Sequence, residues 1–443
     1  MEYLALVMFA VLIVLLLLGY PVAFTLGAVA LLFGIPALGL EFFDLLPLRI
    51  WGVMTNFTLL AVPLFVFMGV ILERSGLAED LLETMSLLFG RVRGGLAISL
   101  VVVGGLLAAT TGVVGATVVT MGVIALPALL KHNYQKELSA GTIAASGTLG
   151  QLIPPSIILV LLGDVVGVPV GRLFAGAVVP GALMIVAFIV FIALYAFIKH
   201  EVAPLPDVSL MRGDSDRGLL QRVLKSLIPP LVLVFAVLGS IFFGVAAPTE
   251  SAALGAVGAM VLAAMHKRLT RDNLRHAVQS TLKLTSMVFM ILVGATAFGL
   301  VFRGLGGDSL VHDLMTSLPG ETWGFLLVSM LVIFILGFFL DFLEICFIVV
   351  PILAPIATTL GVDPLWFAIL IAVNLQTSFL TPPFGFSLFY LKAAAPRSVT
   401  ISHIYRGVIP FIIIQALVLL GLIVFPKLVL WLPDVMDAWQ GFN

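Results

Sequence analysis

The sequence predicts an all-α polytopic membrane protein built as an inverted repeat, with two re-entrant hairpins and two broken helices. Three observations carry this. Only 10% of the 443 residues are charged while 61% are hydrophobic, a balance that a water-facing surface of that size does not tolerate. Apolar runs of about 17 to 25 residues, the length that spans a bilayer, recur from end to end with polar interruptions too short to be domains. Pro127 is followed 27 residues later by Pro154-Pro155, and Pro355 is followed 27 residues later by Pro382-Pro383, so the pattern recurs at an offset of 228. The composition excludes a secreted enzyme, a cytosolic factor and a nucleic-acid binder. With 22 Lys and Arg against 23 Asp and Glu, the net charge of -1 gives no global field to steer a partner. The single cysteine, Cys346, lies inside an apolar run, which leaves no intrachain disulfide and no thiolate metal site.

The chain runs from Met1-Glu2-Tyr3 into Leu4 to Leu18 without a Lys or Arg, so this segment reads as a retained first helix rather than a cleaved secretory signal. Further apolar runs fall at 21 to 40, 57 to 72, 96 to 130, 138 to 163, 174 to 198, 227 to 247, 251 to 265, 277 to 302, 323 to 357, 364 to 391 and 405 to 432. Leu45 to Trp51, after Glu41 and Asp44, reads as an interfacial amphipathic element with a Trp anchor.

Two runs have the wrong length. As continuous helices, 96 to 130 and 323 to 357 would each be about 52 Å long against a hydrocarbon core of roughly 30 Å, so each must fold back or cross twice. Arg91 and Arg93 precede the first and Lys131 and Lys136 follow it, which places both of its ends in the cytoplasm. A re-entrant hairpin or a tight double crossing satisfies this, and the polar stretch from Gly104-Gly105 to Thr110-Thr111-Gly112 suits a hairpin tip at membrane depth. Lys199 to Lys225, with Arg212, Arg217 and Arg222, and then His266-Lys267-Arg268 with Arg271 and Arg275, form two basic loops on that same side. One more crossing, 277 to 302, puts the second overlong run on the opposite face, where Asp308, Asp313, Glu321 and Asp363 surround it. The two hairpins therefore enter from opposite sides.

The offset of 228 also pairs Leu152 with Leu380, and Val178-Val179-Pro180 matches Val408-Ile409-Pro410 at 230. Paired prolines in mid-span remove two backbone donors and clash with the preceding turn, so 138 to 163 should break at Pro154 and Pro155, and 364 to 391 at Pro382 and Pro383. The freed carbonyls either coordinate a cation or are repaired by a hydroxyl side chain and water. This reading divides the chain into N-terminal scaffold helices with the interfacial segment (1–95), a first repeat core (96–198), a cytoplasmic loop with scaffold helices (199–322), a second repeat core (323–432) and a tail (433–443).

The segments Val62 to Gly76, Gly141 to Pro155 (GTIAASGTLGQLIPP), Ala247 to Ala253, Gly337 to Pro355 and Asn374 to Pro383 resemble the large membrane subunit of tripartite ATP-independent periplasmic (TRAP) transporters, the DctM family. The resemblance implies an elevator-type secondary transporter in a bacterial cell inner membrane, which takes an organic anion from a periplasmic binding protein and moves it inward with Na+. It also implies a small four-helix membrane subunit on a separate chain. Carried over by motif, a first sodium site would use Gly150, Ile153 and Pro154 with the hairpin tip at Thr110 and Thr111. A second would use Gly337, Ser378, Thr381 and Phe384. The internal offset agrees, since Ser378 and Thr381 stand 228 after Gly150 and Ile153. One departure is that Ala108-Ala109-Thr110-Thr111 stands where the family has a serine-rich tip.

Asp341 and Glu344, three apart in an apolar run, share one helical face and are candidates for substrate or gating contacts, although they could equally face Arg303 or water. Asn374 and Gln376 precede the second break and either reach the cavity or bond helix to helix. Glu250 after Thr249 reads as a helix cap, and Arg172, Arg397 and Arg406 as snorkelling residues. The absence of a Gly-Lys dipeptide removes the phosphate loop of an ATP-driven pump, and no protease constellation lies at membrane depth. A stand-alone sodium symporter of carboxylates and an ion channel remain the alternatives.

Overall fold

The computed structural model describes residues 2–89, 92–111, 114–205 and 216–441, apart from the side chains at 2, 78, 79, 83, 86, 87, 108–111 and 216–223. Among the described residues there are helices and turns and no strand. In order they are α1 (Glu2–Leu17), α2 (Val22–Leu38), a 3-10 turn leading into α3 (Leu46–Met54), α4 (Ala61–Arg74), α5 (Leu77–Phe89), α6 (Gly95–Thr111), α7 (Val114–Lys131), α8 (Lys136–Thr148), α9 (Ile157–Val166), α10 (Val170–Ile198), α11 (Asp216–Phe242), α12 (Pro248–Met265), α13 (Arg271–Gly304), α14 (Gly307–Thr316), α15 (Thr322–Leu336), α16 (Phe342–Glu344), α17 (Val350–Thr359), α18 (Pro364–Leu380), α19 (Phe386–Ala394), α20 (Ile401–Val424) and α21 (Lys427–Gln440). A π turn, Ile345–Val349, joins α16 to α17. Seven helices among the described residues are long and apolar enough to cross a membrane. An eighth forms if Leu40–Met54 and Thr58–Arg74, bent by 55°, count as one span.

Both overlong runs are divided. The run 96 to 130 becomes α6 and α7, which pack on each other, with a methyl at Gly104 meeting Ser146 and Met121. The run 323 to 357 stops at Leu336 and restarts at Phe342. Helix α3 turns Leu48 and Trp51 outward, as an interfacial element would.

Two features differ from the apolar-run reading. The run 405 to 432 is not one segment: it ends at Val424 and resumes at Lys427. Phe425 takes φ -121 and ψ 75 because the ring of Pro426 excludes the helical conformation from the residue before it. Helices α5 and α14 also lie outside the apolar runs, because LAEDLLETMSLLF and GDSLVHDLMT carry their apolar residues on one face only.

Helices α8 and α18 form the centre. Every residue of α8 from Leu138 to Thr148 is buried, as is every residue of α18 from Leu365 to Leu380. The sequence of α8, KELSAGTIAASGT, explains how so polar a helix can be enclosed. Its small residues let neighbouring backbones approach: a methyl on Gly141 would strike the Gly407 carbonyl, and one on Gly147 would strike Val118. Two of its hydroxyls turn back onto the preceding turn, Ser139 on Gln135 O at 2.9 Å and Thr148 on Ala145 O at 2.8 Å. Around this centre α20 lies along α8 and α10 along α18, while α12 packs on α4 and α2 on α13.

Candidate functional site

Each central helix stops at its Pro-Pro pair. After α8 the chain tightens into a 3-10 turn, Leu149–Gln151, and is non-helical to Ser156. After α18 it leaves the helix at Thr381, whose φ and ψ of -89 and 124 are extended, and resumes at Phe386. Both Pro-Pro peptide bonds are cis. Among the described residues, the carbonyls of Leu152, Ile153, Pro154 and Pro155 in the first break accept no backbone hydrogen bond, and neither do those of Pro382 and Phe384 in the second. The first break therefore offers several carbonyl oxygens in a buried place, while the second offers two at a half-exposed rim, where Pro383 and Phe384 are exposed.

In the first break Gly150 and Pro154 are buried, and the Ile153 side chain lies beside Gly105 of α6 and Gly181 of α10. Thr110 and Thr111 close α6, and their side chains lie outside the described residues. In the second break Gly337 and Ser378 are in contact, since a methyl at Gly337 would collide with Ser378 Oγ. The Ser378 hydroxyl donates to Leu375 O at 2.9 Å and that of Thr381 to Thr377 O at 2.7 Å, so both hydroxyl oxygens keep lone pairs for a further partner. Phe384 sits at the rim, 46% exposed, its ring 5.2 Å from that of Phe339. No group of three or more His, Cys, Asp or Glu converges among the described residues. The oxygens gathered at the breaks are neutral ones, a donor set suited to a hard cation.

The acidic candidates have local partners. Glu344 accepts from the Asp341 N–H at 3.0 Å and Asp341 from the Phe342 N–H at 2.8 Å, so the two carboxylates cap the helix that restarts at Phe342. Asn374 donates to Met330 O at 2.7 Å, a helix-to-helix bond between α18 and α15. Glu250 accepts from Ala247 N at 2.8 Å, as a helix cap should, and Arg172 pairs with Asp437 at 3.1 Å.

Sequence reasoning singled out Gln376 as a helix-to-helix candidate but missed its partners at the centre, Thr148 and Gln415. Gln376 of α18 and Gln415 of α20 both donate to Thr148 Oγ1 of α8, at 3.4 and 3.3 Å. All three are fully buried. The signal was present, because Thr148 and Gln376 are themselves 228 apart. Gln151, one turn further on, is fully buried with neither amide atom paired. A cavity of about 420 Å³ also opens between α3, α9, α13 and α17, where Arg49, Arg303, Asp164 and Asp308 meet. There Asn56, at the bend before α4, hydrogen-bonds Asp164 of α9.

Residues 9–428 match the family model of the tripartite ATP-independent periplasmic transporter, DctM component. The chain belongs to this family. The permease is 33% identical to the C4-dicarboxylate TRAP transporter large permease protein DctM of Pseudomonas aeruginosa over 90% of each chain. It is 30% identical to the sialic acid TRAP transporter large permease protein SiaM of Vibrio cholerae, over 94% of this chain and 95% of that one. Its fold is shared with the YdaH transporter of Alcanivorax borkumensis, at a TM-score of 0.60 and 16% identity over 99% of this chain and 98% of that chain. Family membership and the apolar spans make the permease a multi-pass protein of the bacterial inner membrane.

Proposed function

We propose that the permease carries an organic carboxylate inward together with sodium ions, by an elevator movement of a domain made of the two hairpins and two broken helices. The observation that carries this reading is the pair of helix breaks 228 residues apart, each gathering neutral oxygens beside an element of its own hairpin. Carbonyl clusters without a carboxylate suit a dehydrated metal cation better than a proton. The inverted repeat is supported by the packing: α12 on α4 and α2 on α13 exchange partners between the halves, as do α20 on α8 and α10 on α18. The carboxylate preference is supported by the relatives, one named for C4-dicarboxylates and one for sialic acid. The periplasmic binding protein and the small membrane subunit follow from the tripartite family.

Sodium-titrated uptake in proteoliposomes tests the second site. Thr381→Ala removes one side-chain oxygen and a bond to Thr377 O while leaving the prolines in place, so apparent sodium affinity falls about tenfold and substrate affinity changes little. Unchanged sodium dependence removes Thr381 from the site.

Topology is read directly by membrane-impermeant labelling of single cysteines in a Cys346→Ser background. Arg91→Cys, at a position outside the described residues, and Lys131→Cys are expected to label from the cytoplasm, Glu321→Cys and Asp363→Cys from the periplasm. A pair split across the membrane would turn that hairpin into a single crossing and dissolve the inverted repeat.

A further inference from the structure

The bond between Thr148 and Gln376 joins two residues at the same place in the two halves, each two positions before a proposed ion-site residue, Gly150 and Ser378. Gln415 of α20 binds the same Thr148 oxygen, so three helices meet on one hydroxyl. That hydroxyl spends its own proton on Ala145 O and serves the two amides purely as acceptor. With all three side chains fully buried, no water can replace a broken bond. The amide oxygens of Gln376 and Gln415 have no partner of their own, so the Thr148 bond is what orients each amide. At 3.3 and 3.4 Å both bonds are long for a neutral N–H···O contact, which leaves slack to be taken up when either break closes.

We propose that Thr148, Gln376 and Gln415 form a coupling node that makes the two helix breaks respond as one, so that a cation bound at either break raises the affinity of the other. This rests on the sodium reading above and adds to it a mechanism for cooperative filling. A cation drawing in the carbonyls after Thr148 shifts the end of α8, and through the shared hydroxyl it shifts α18 two residues ahead of Ser378. The three side chains are positioning residues. None of them needs to touch the ion.

The test uses the permease with its small subunit in detergent, titrated with sodium chloride against potassium chloride at constant ionic strength and read as thermal stabilisation. The wild type gives a sigmoidal curve with a Hill coefficient near two. Thr148→Val, nearly isosteric but without an acceptor, and Gln415→Leu each lower the coefficient toward one and raise the half-saturating sodium concentration about tenfold. Thr148→Ser restores the wild-type steepness. A purely structural role would lower the melting temperature in the absence of sodium and leave the steepness of the curve unchanged. Wild-type steepness in both Thr148→Val and Gln415→Leu overturns the node and leaves the sodium reading standing. A wild type that does not respond to sodium overturns both.

Discussion

Proteoliposomes holding the permease with the proposed small membrane subunit, supplied with liganded binding protein, are expected to accumulate substrate under an inward sodium gradient and to fail to do so when potassium or a proton gradient replaces it. The expectation comes from the breaks at Pro154-Pro155 and Pro382-Pro383, whose proposed ligands are backbone carbonyls and the hydroxyls of Ser378 and Thr381 rather than titratable groups. The energetics are sufficient. One charge falling through 100 mV yields about 2.3 kcal/mol, so two sodium ions yield about 4.6 kcal/mol, a term that a co-transported dianion cancels. The chemical gradient then remains as the drive: a tenfold sodium ratio acting through two ions supports about hundredfold accumulation. Accumulation driven by protons alone would mean that the carbonyls at the breaks are structural. Coupling would then fall to Asp341 or Glu344, the carboxylates that cap the helix restarting at Phe342.

Gly141→Ala is the substitution expected to damage the protein most. The α8 to α20 crossing brings Gly141 against the carbonyl of Gly407, and Gly407 in turn against the carbonyl of Glu137. A methyl at either position meets backbone, which cannot move aside by changing a rotamer. The two helices must separate along a fully buried contact, at a cost of about 3 kcal/mol or more. Thermal unfolding in detergent therefore shows a large drop for Gly141→Ala and for Gly407→Ala, with loss of monodisperse protein. Gly421→Ala is the control on the same helix, because a methyl there meets nothing within 4 Å. Its melting temperature holds or rises slightly, since alanine is the better helix former by about 0.5–1 kcal/mol. A melting temperature for Gly141→Ala equal to that of Gly421→Ala would mean that α8 and α20 do not cross there.

What the sequence by itself determined is whatever local chemistry enforces. Proline removes a donor wherever it stands, so the breaks at Pro154-Pro155 and Pro382-Pro383 were legible without any knowledge of neighbours. The overlong runs had to divide because a bilayer has a fixed thickness, and they do so after Thr111 and after Leu336. Glu250 as a helix cap was equally local. Pro426 carried the same kind of signal, but the continuous hydrophobicity of 405 to 432 hid it.

Tertiary structure decided the partners. Asp341 and Glu344 stand three apart, the spacing that puts two residues on one helical face and also the spacing of a capping box. Only the position of the restart, at Phe342, chooses between those roles. Helix α8 is buried on every side, so it has no apolar stripe whose periodicity could say which helix lies against which residue. That Thr148 meets both Gln376 and Gln415 depends on where α8, α18 and α20 cross, over sequence separations of 228 and 267. Such contacts are fixed by close packing of whole helices, a property of surfaces far apart in the chain that no local pattern encodes.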